Sequence, residues 1–441
     1  MTDTVVVVGA GVTGLAVAWA LRRAGLNVRL LEAADRAGGV LRSEWVQGIC
    51  VEQGPQSLRG AGGAAAEIIE SLGLIERVRG ASKAASKRFL LHKGELWPVP
   101  GGPLQALSGG PLSVGAVVRA MGEPLVRRNP TDGETLHDFI SRRLGPGIAD
   151  PLVEAFVGGI YAGDSRQLEA ASSFPKLTAF ELEHGSILLG AFRGRRAERP
   201  EWLPRGAFTF DEGADVLVRA LADGLGDALS LGEAVTSVRK NEAGFLVKTA
   251  TESIQAAQVV LAVSPDAGAA IDSPYAKVYG AIPSAPVAAV HLAWPKGDGP
   301  QSEGFGWLAP SSERKDVLGA IWVSSVFPHL APDHDVVRIM LGGARSPELA
   351  AREPQELVDH ALSVVRTVQG EVGEPVFTHA RSHHSGIPQY VLGHGARRLE
   401  LASVPGLHTV GWGVTGVGIT QCLEAAKQTA EAIGRSLVGG E

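Results

Sequence analysis

Two cysteines, three methionines and four tyrosines are all that 441 residues carry of those types. Cys50 and Cys422 lie far apart, too few for a disulfide framework or a cysteine-based zinc site, and their scarcity suits a reducing cytoplasm. Positive charge is also short: Lys and Arg number 41 against 47 Asp and Glu, a net charge of -6. A nucleic-acid binder would be expected to be basic, so no nucleic-acid partner is expected. No run of about 18 apolar residues is free of charges and breakers, so no transmembrane helix is expected. The N-terminus lacks a basic leader and a cleavage site, and its first apolar run, VVVVGAGVTGLAVAWAL, reads as a buried strand and helix. Neither internal repeats nor a low-complexity linker interrupt the chain. With 45% apolar and 20% charged residues, it reads as an ordinary soluble chain long enough for two or three domains.

What is abundant is glycine, and it is placed. Val5 to Val8 read as a strand buried on both faces, Gly14 to Ala24 as a helix ended by Gly25, and Asn27 to Leu31 as a second strand. Between the first two stand Gly9, Gly11 and Gly14, a G-x-G-x-x-G whose glycines permit a tight turn, close backbone approach to a pyrophosphate and close helix–strand packing. Glu32 ends the second strand, where a ribose hydroxyl needs an acceptor. RAGG follows at 36–39. A second backbone approach just past Glu32 suits a larger, enclosed dinucleotide, with Arg36 supplying charge and Gly38 and Gly39 letting the chain pass against the cofactor. Further on, Ala64 to Leu72 reads as a helix, residues 83–205 as helical pieces broken by Pro and Gly, and LSLGEAVTSV, GFLVKTA and SIQAAQVVLAV as short strands. APVAAVHLAW, VLGAIWVSSV and VVRIMLGG read as strands, Pro354 to Val368 as a helix, LHTVGW as a strand, and Thr415 to Leu437 as a glycine-led helix.

GAGVTG, Glu32 and RAGG together resemble the FAD fingerprint of the amine oxidase and protoporphyrinogen oxidase superfamily, and the C-terminal GWGVTGVGITQCLEAAKQTA fits a helix whose N-terminus faces the flavin. Longer stretches resemble the protoporphyrinogen oxidase family: VEQGPQSL, SKRFLLHKGELWPVP, GGIYAGDSRQLEAASSFPKL, EHGSILLGAFR, GFGWLAP, MLGGAR and GIPQYVLGH. GIYAGD and IPQYVLGH carry it most specifically. The resemblance implies an α/β fold: a Rossmann-like FAD domain assembled from discontinuous segments (1–80, 206–265 and 376–441), a mixed-sheet substrate domain (81–90 and 266–375) and a helical membrane-associated domain (91–200). It implies non-covalent FAD held by Gly9, Ala10, Gly11, Val12, Thr13, Gly14, Glu32, Ala33, Val40, Gly54, Pro55, Gln56, Ser57, Val235, His383, Val417, Gly418 and Ile419. Substrate contacts are implied at Arg88, the backbone of Gly158 and Gly159, Leu308, Ile321 and Met340. Read without it, Arg88 is an ordinary solvated arginine and the three apolar residues are core.

The activity so implied is FAD-dependent oxidation of protoporphyrinogen IX to protoporphyrin IX, six electrons in three flavin cycles, with hydride leaving a meso carbon for flavin N5 and oxygen or a quinone as final acceptor. No catalytic acid–base pair is identifiable, which agrees with chemistry carried by the cofactor. The alternatives are oxidation of coproporphyrinogen III, an amine oxidase, for whose aromatic cage four tyrosines are scant material, and a flavin-containing porphyrin carrier without turnover. His383-His384 has no second ligand cluster, so no metal is expected. Cys422, without a neighbouring base, reads as packing. Three departures from the family pattern lie near the expected cofactor: Thr420-Gln421 for Asn-Asp, Glu212-Gly213 for Gly-Gly, and GPQS for GPNS.

Charge is unevenly spread. Residues 81–205 hold 16 Lys and Arg against 13 Asp and Glu, a local +3 against -9 elsewhere. Apolar pieces beside Arg127, Arg128, Arg142 and Arg143 suit either a solvated basic face or contact with an anionic membrane surface. The expected location is therefore cytoplasmic, with peripheral contact on the inner face of the cell membrane as its variant, and the resemblance leaves room for a homodimer.

Overall fold

Val5–Val8 is buried at every residue because two different layers cover its sheet. Val5 and Val7 face the helices Val12–Arg23, Val216–Leu225 and Ile419–Val438, while Val6 and Val8 face a β-meander made of Ser237–Asn241, Gly244–Lys248 and Ser253–Ala256. Alternate side chains thus enter two cores, which explains why the strand reads as an unbroken apolar run. In this computed structural model, residues 4–60, 62–100, 105, 110–129, 133–193 and 198–438 are described. The sheet has five parallel strands in the order Leu229–Ser230, Val28–Leu31, Val5–Val8, Gln258–Leu261 and Leu407–Thr409. Its strands therefore come from widely separated stretches of chain.

A second sheet has seven strands: Phe377–Pro388, Ser284–Pro295, His334–Gly342, Val317–Trp322, Gly306–Leu308, Phe89–His92 and Glu95–Pro98. All neighbours are antiparallel except Gly306–Leu308 against Phe89–His92. One face packs on the helix Pro354–Gln369 through Trp294, Trp307, Trp322 and Ile339. On the opposite face, Ala293, Val336 and Ile321 pack with Ile49, Cys50 and Val51.

Three sequence readings change. The helical reading of residues 83–205 fails at Phe89–His92 and Glu95–Pro98, which form a hairpin. Its two-residue turn, Lys93-Gly94, has φ of 53° and 79°, the double left-handed turn that matches strand twist. The strand expected through VLGAIWVSSV stops at Trp322, and Val323–Val326 is one helical turn. Arg142 and Arg143 are not a solvated basic face. Arg143 is fully buried and paired with Glu123, while Arg142 is bidentate to Glu134 and also bonds Glu181. Three acids brought from other turns neutralise the pair, so only Arg127 and Arg128 remain on the surface. Nearby, Val114, Val118, Met121 and Leu125 are exposed. Most of the apolar stretch at 101–109 lies outside the described residues, and among the described residues no helix is long and apolar enough to cross a membrane.

Candidate functional site

The turn after Val5–Val8 is built on a contact that only glycine allows. Gly9 has a φ of +94°, and a Cβ on Gly14 would sit 1.9 Å from the Gly9 carbonyl oxygen. The helix Val12–Arg23 therefore starts hard against the strand end. A Cβ on Gly11, by contrast, would meet nothing within 4 Å. It would project into a cavity of about 590 Å³ at the carboxyl ends of the parallel strands, where open α/β sheets bind their ligands.

Of the residues expected to hold a dinucleotide, Gly9, Gly11, Val12, Thr13, Glu32, Ala33, Gly38, Gly39 and Val40 border this cavity, as do Pro55, Val235, Val417 and Ile419. The Glu32 carboxylate is fixed by the amides of Ala10 (2.6 Å) and Ala34 (2.9 Å), with the second strand's end behind it. The Gly38 amide donates to the Ala10 carbonyl at 2.8 Å, which ties the RAGG loop onto the glycine turn.

The other expected residues do not border this cavity. Ala10 is core, and Gly14 is spent on the strand contact. The Arg36 guanidinium bends back to the carbonyls of Ala37 and Gly39, so it stiffens its own loop. A Cβ on Gly54 would lie 2.0 Å from the Val40 carbonyl, so Gly54 lets that cavity residue pack. Ser57 is half-buried beside it. Gln56 is 6% exposed and neither amide atom has a partner among the described residues. Gly418 donates to Gln421 Oε1. His383, held below its ordinary pKa chiefly by burial and hence neutral, uses Nε2–H to donate to the Gln53 carbonyl at 2.7 Å.

Several lining residues escaped the sequence reading. Ser264 and Ala267 follow the strand Gln258–Leu261, and a signal for them existed: Ser264 caps the next helix with Pro265 at its first turn, marking another strand end and helix start. Glu233 enters beside Val235, and its amide donates to the Glu32 carbonyl. Trp412 and Cys422 close the far wall. Burial pushes the Cys422 thiol up to about 11, so it stays protonated, with Sγ toward the Gly416 carbonyl. A helix N-terminus without acidic residues in its first turn, a carboxylate at the second strand end, largely apolar walls and an unpartnered buried amide close by together fit a flavin dinucleotide.

On the second sheet, Leu308 pairs with Gly319, which pairs with Met340, and Ile321 lies in the next row opposite Arg338. Leu308, Ile321 and Met340 are half-buried although their strands are central, whereas Trp307, Ala320 and Ile339 on the other face are buried. The result is a half-exposed apolar face with the buried Arg338 at its base. Gly158 and Gly159 reach it from the helix Glu154–Tyr161, where a Cβ on Gly159 would lie 2.6 Å from Leu308 Cδ2. Arg88 stands at its edge with its guanidinium 5.2 Å from the centre of the Phe305 ring, and it forms no ion pair among the described residues. Partial burial lowers its pKa, and the charge of Arg59 lowers it further.

The chain's similarity to known proteins runs along its whole length. The flavin containing amine oxidoreductase family matches residues 12–434. Protoporphyrinogen oxidase of Homo sapiens is 32% identical, covering 98% of each chain. Coproporphyrinogen III oxidase of Bacillus subtilis is 26% identical over 96% of each. A crystal structure from Exiguobacterium sp. 255-15, provisionally named a protoporphyrinogen oxidase, superposes with a TM-score of 0.83 at 24% identity over 99% of each chain.

Proposed function

Because the chain belongs to the flavin containing amine oxidoreductase family and is a flavin-dependent oxidoreductase, we propose that it oxidises a porphyrinogen to the porphyrin in haem or chlorophyll biosynthesis. Protoporphyrinogen IX is the substrate this reading puts first. The observation that carries it is the half-exposed apolar face of Leu308, Ile321 and Met340 with Arg88, which has no ion pair among the described residues, at its edge, a site for a broad hydrophobic macrocycle bearing carboxylates. An amine oxidase would use an aromatic cage, yet all four tyrosines are buried and none borders the cavity.

The cofactor of this reading is non-covalent FAD. The first turn of Val12–Arg23 would receive the pyrophosphate, Glu32 the ribose hydroxyls, and the loop from Gly411 to Ile419 the ring. When bound, the flavin accepts two electrons at a time, so removing six takes three rounds, and oxygen or a quinone restores it. The protein's own part is to hold a carboxylate at Arg88, align the ring along the apolar face and exclude water from the cavity. Gly158 and Gly159 would offer backbone to the ring's edge. The three-domain division belongs to this reading, as does a cytoplasmic, peripherally membrane-bound state. Exposed Val114, Val118, Met121 and Leu125 beside Arg127 and Arg128 support such contact.

The test is anaerobic. Protoporphyrinogen IX or coproporphyrinogen III is mixed with the yellow protein, and flavin absorbance and porphyrin fluorescence are followed. Rapid bleaching by one of them identifies the substrate. No bleaching by either leaves a flavoprotein of another activity.

A further inference from the structure

Arg59 lies on the short strand Leu58–Gly60, paired with Ala207. Paired residues of antiparallel strands project from the same face. Ala207 belongs to the apolar cluster that also includes Phe305 and Ile321. Arg88 stacks on that same Phe305, so the Arg59 side chain leaves its strand beside the patch that carries Arg88. Arg59 is also anchored at the other end of the site. Its carbonyl accepts from Thr420 Oγ1 at 3.2 Å, and the preceding residue, Ile419, borders the dinucleotide cavity.

Two neighbouring cations are otherwise engaged. Lys87 is bonded to Glu303 at 2.6 Å, and Arg79 is bonded to the carbonyls of Glu76 and Val78. Arg59 and Arg88 have no ion pair among the described residues, and the field of Arg59 presses on Arg88 with no carboxylate to offset it. Two neighbouring guanidiniums without a counter-ion among the described residues suit two carboxylates.

We propose that Arg59 is a second carboxylate-binding residue, which with Arg88 clamps two carboxylates on one edge of a tetrapyrrole and favours the more carboxylated ring. The clamp rests on the porphyrinogen reading. It gives a role to an arginine that has no ion pair among the described residues on a strand otherwise occupied with packing. A ring carrying four carboxylates keeps both arginines engaged in more orientations than a ring carrying two, so loss of Arg59 falls harder on the tetracarboxylate.

The experiment uses the holoenzyme and three air-stable probes: coproporphyrin III, protoporphyrin IX and coproporphyrin tetramethyl ester. Binding is read from porphyrin fluorescence in the wild type, Arg59→Gln and Arg59→Lys, at equal flavin content. The expected result for Arg59→Gln is a Kd about tenfold weaker for coproporphyrin III, as for loss of one charge-assisted hydrogen bond. A smaller loss is expected for protoporphyrin IX and none for the ester, with partial recovery in Arg59→Lys. Unchanged Kd values for both free acids, or an equal loss for the ester, would overturn the clamp while leaving the porphyrinogen reading intact. A wild type that binds none of the three overturns that reading and the clamp with it.

Discussion

The hydroxyl of Tyr390 accepts the amide N–H of Gly416 at 2.8 Å and donates its own proton to the carbonyl of Trp412. One buried side chain, 1% exposed, thereby sets the span of the loop whose Trp412 and Val417 wall the cavity. Tyr390 belongs to the IPQYVLGH stretch, and its ring stacks on His394 at 4.0 Å. Tyr390→Phe keeps the ring and removes the bridge, leaving a buried amide and carbonyl short of a partner at a cost of about 1–3 kcal/mol. The apoprotein should lose stability by about that amount in urea titrations. Flavin affinity should fall about tenfold with kcat nearly unchanged. Unaltered flavin affinity would reduce Tyr390 to a packing residue.

Two glycines of one turn should fail in different ways. Gly14→Ala places a methyl 1.9 Å from the Gly9 carbonyl, forcing helix and strand apart, and the protein should not accumulate in soluble form. Gly11→Ala meets nothing within 4 Å, so the chain should fold with near-normal Tm as apoprotein. Its methyl occupies the approach to the helix N-terminus, and flavin content after purification should drop sharply. Circular dichroism and the absorbance ratio at 450 and 280 nm separate the two outcomes.

Glu52 provides a pH test. Burial, at 1% exposure, pushes its carboxyl up to about 7 against hydrogen bonds from the Ala214 amide and Ser43. Between pH 4.5, its ordinary value, and about 7, the folded state holds a proton that the unfolded state has released. Stability from this group therefore falls as pH rises through that window and levels off above it. A shift of this size corresponds to roughly 3 kcal/mol. Glu52→Gln cannot ionise. Its unfolding free energy, subtracted from that of the wild type at each pH, should isolate the slope from the buried histidines. A flat difference between pH 5 and 7 would show that Glu52 is ionised in the fold, with the buried Arg338 as the nearby cation.

What the sequence makes legible is local. Gly9, Gly11, Gly14 and Glu32 lie within one β-α-β unit, so spacing alone set their arrangement. Ser264, Trp412 and Glu233 reach the same cavity from other strand ends, and only the strand order brings them there. The misreading of Arg142 and Arg143 has the same origin: their counter-ions Glu123 and Glu181 are distant in sequence, so an interior ion-pair network looks like a basic surface. The hairpin at 89–98 was missed because short apolar runs do not distinguish strand from helix, although the Lys93-Gly94 turn was a usable cue.

Arg88 separates substrate binding from the chemical step. Its guanidinium lies over Phe305, lacks a carboxylate partner among the described residues, and sits away from the dinucleotide cavity. Arg88→Ala should raise KM for the porphyrinogen by about tenfold or more, the range for a lost hydrogen bond to a charged group. The flavin spectrum and flavin affinity should be unchanged. Arg88→Lys keeps the charge but loses the planar fork and the ring stacking, so it should recover only part of the affinity. If both variants keep wild-type KM, Arg88 is a surface residue and the carboxylate site must be sought elsewhere on the apolar face. If kcat falls while KM holds, the arginine acts on the reacting geometry and not on the carboxylate, and the orientation of the ring has to be reversed.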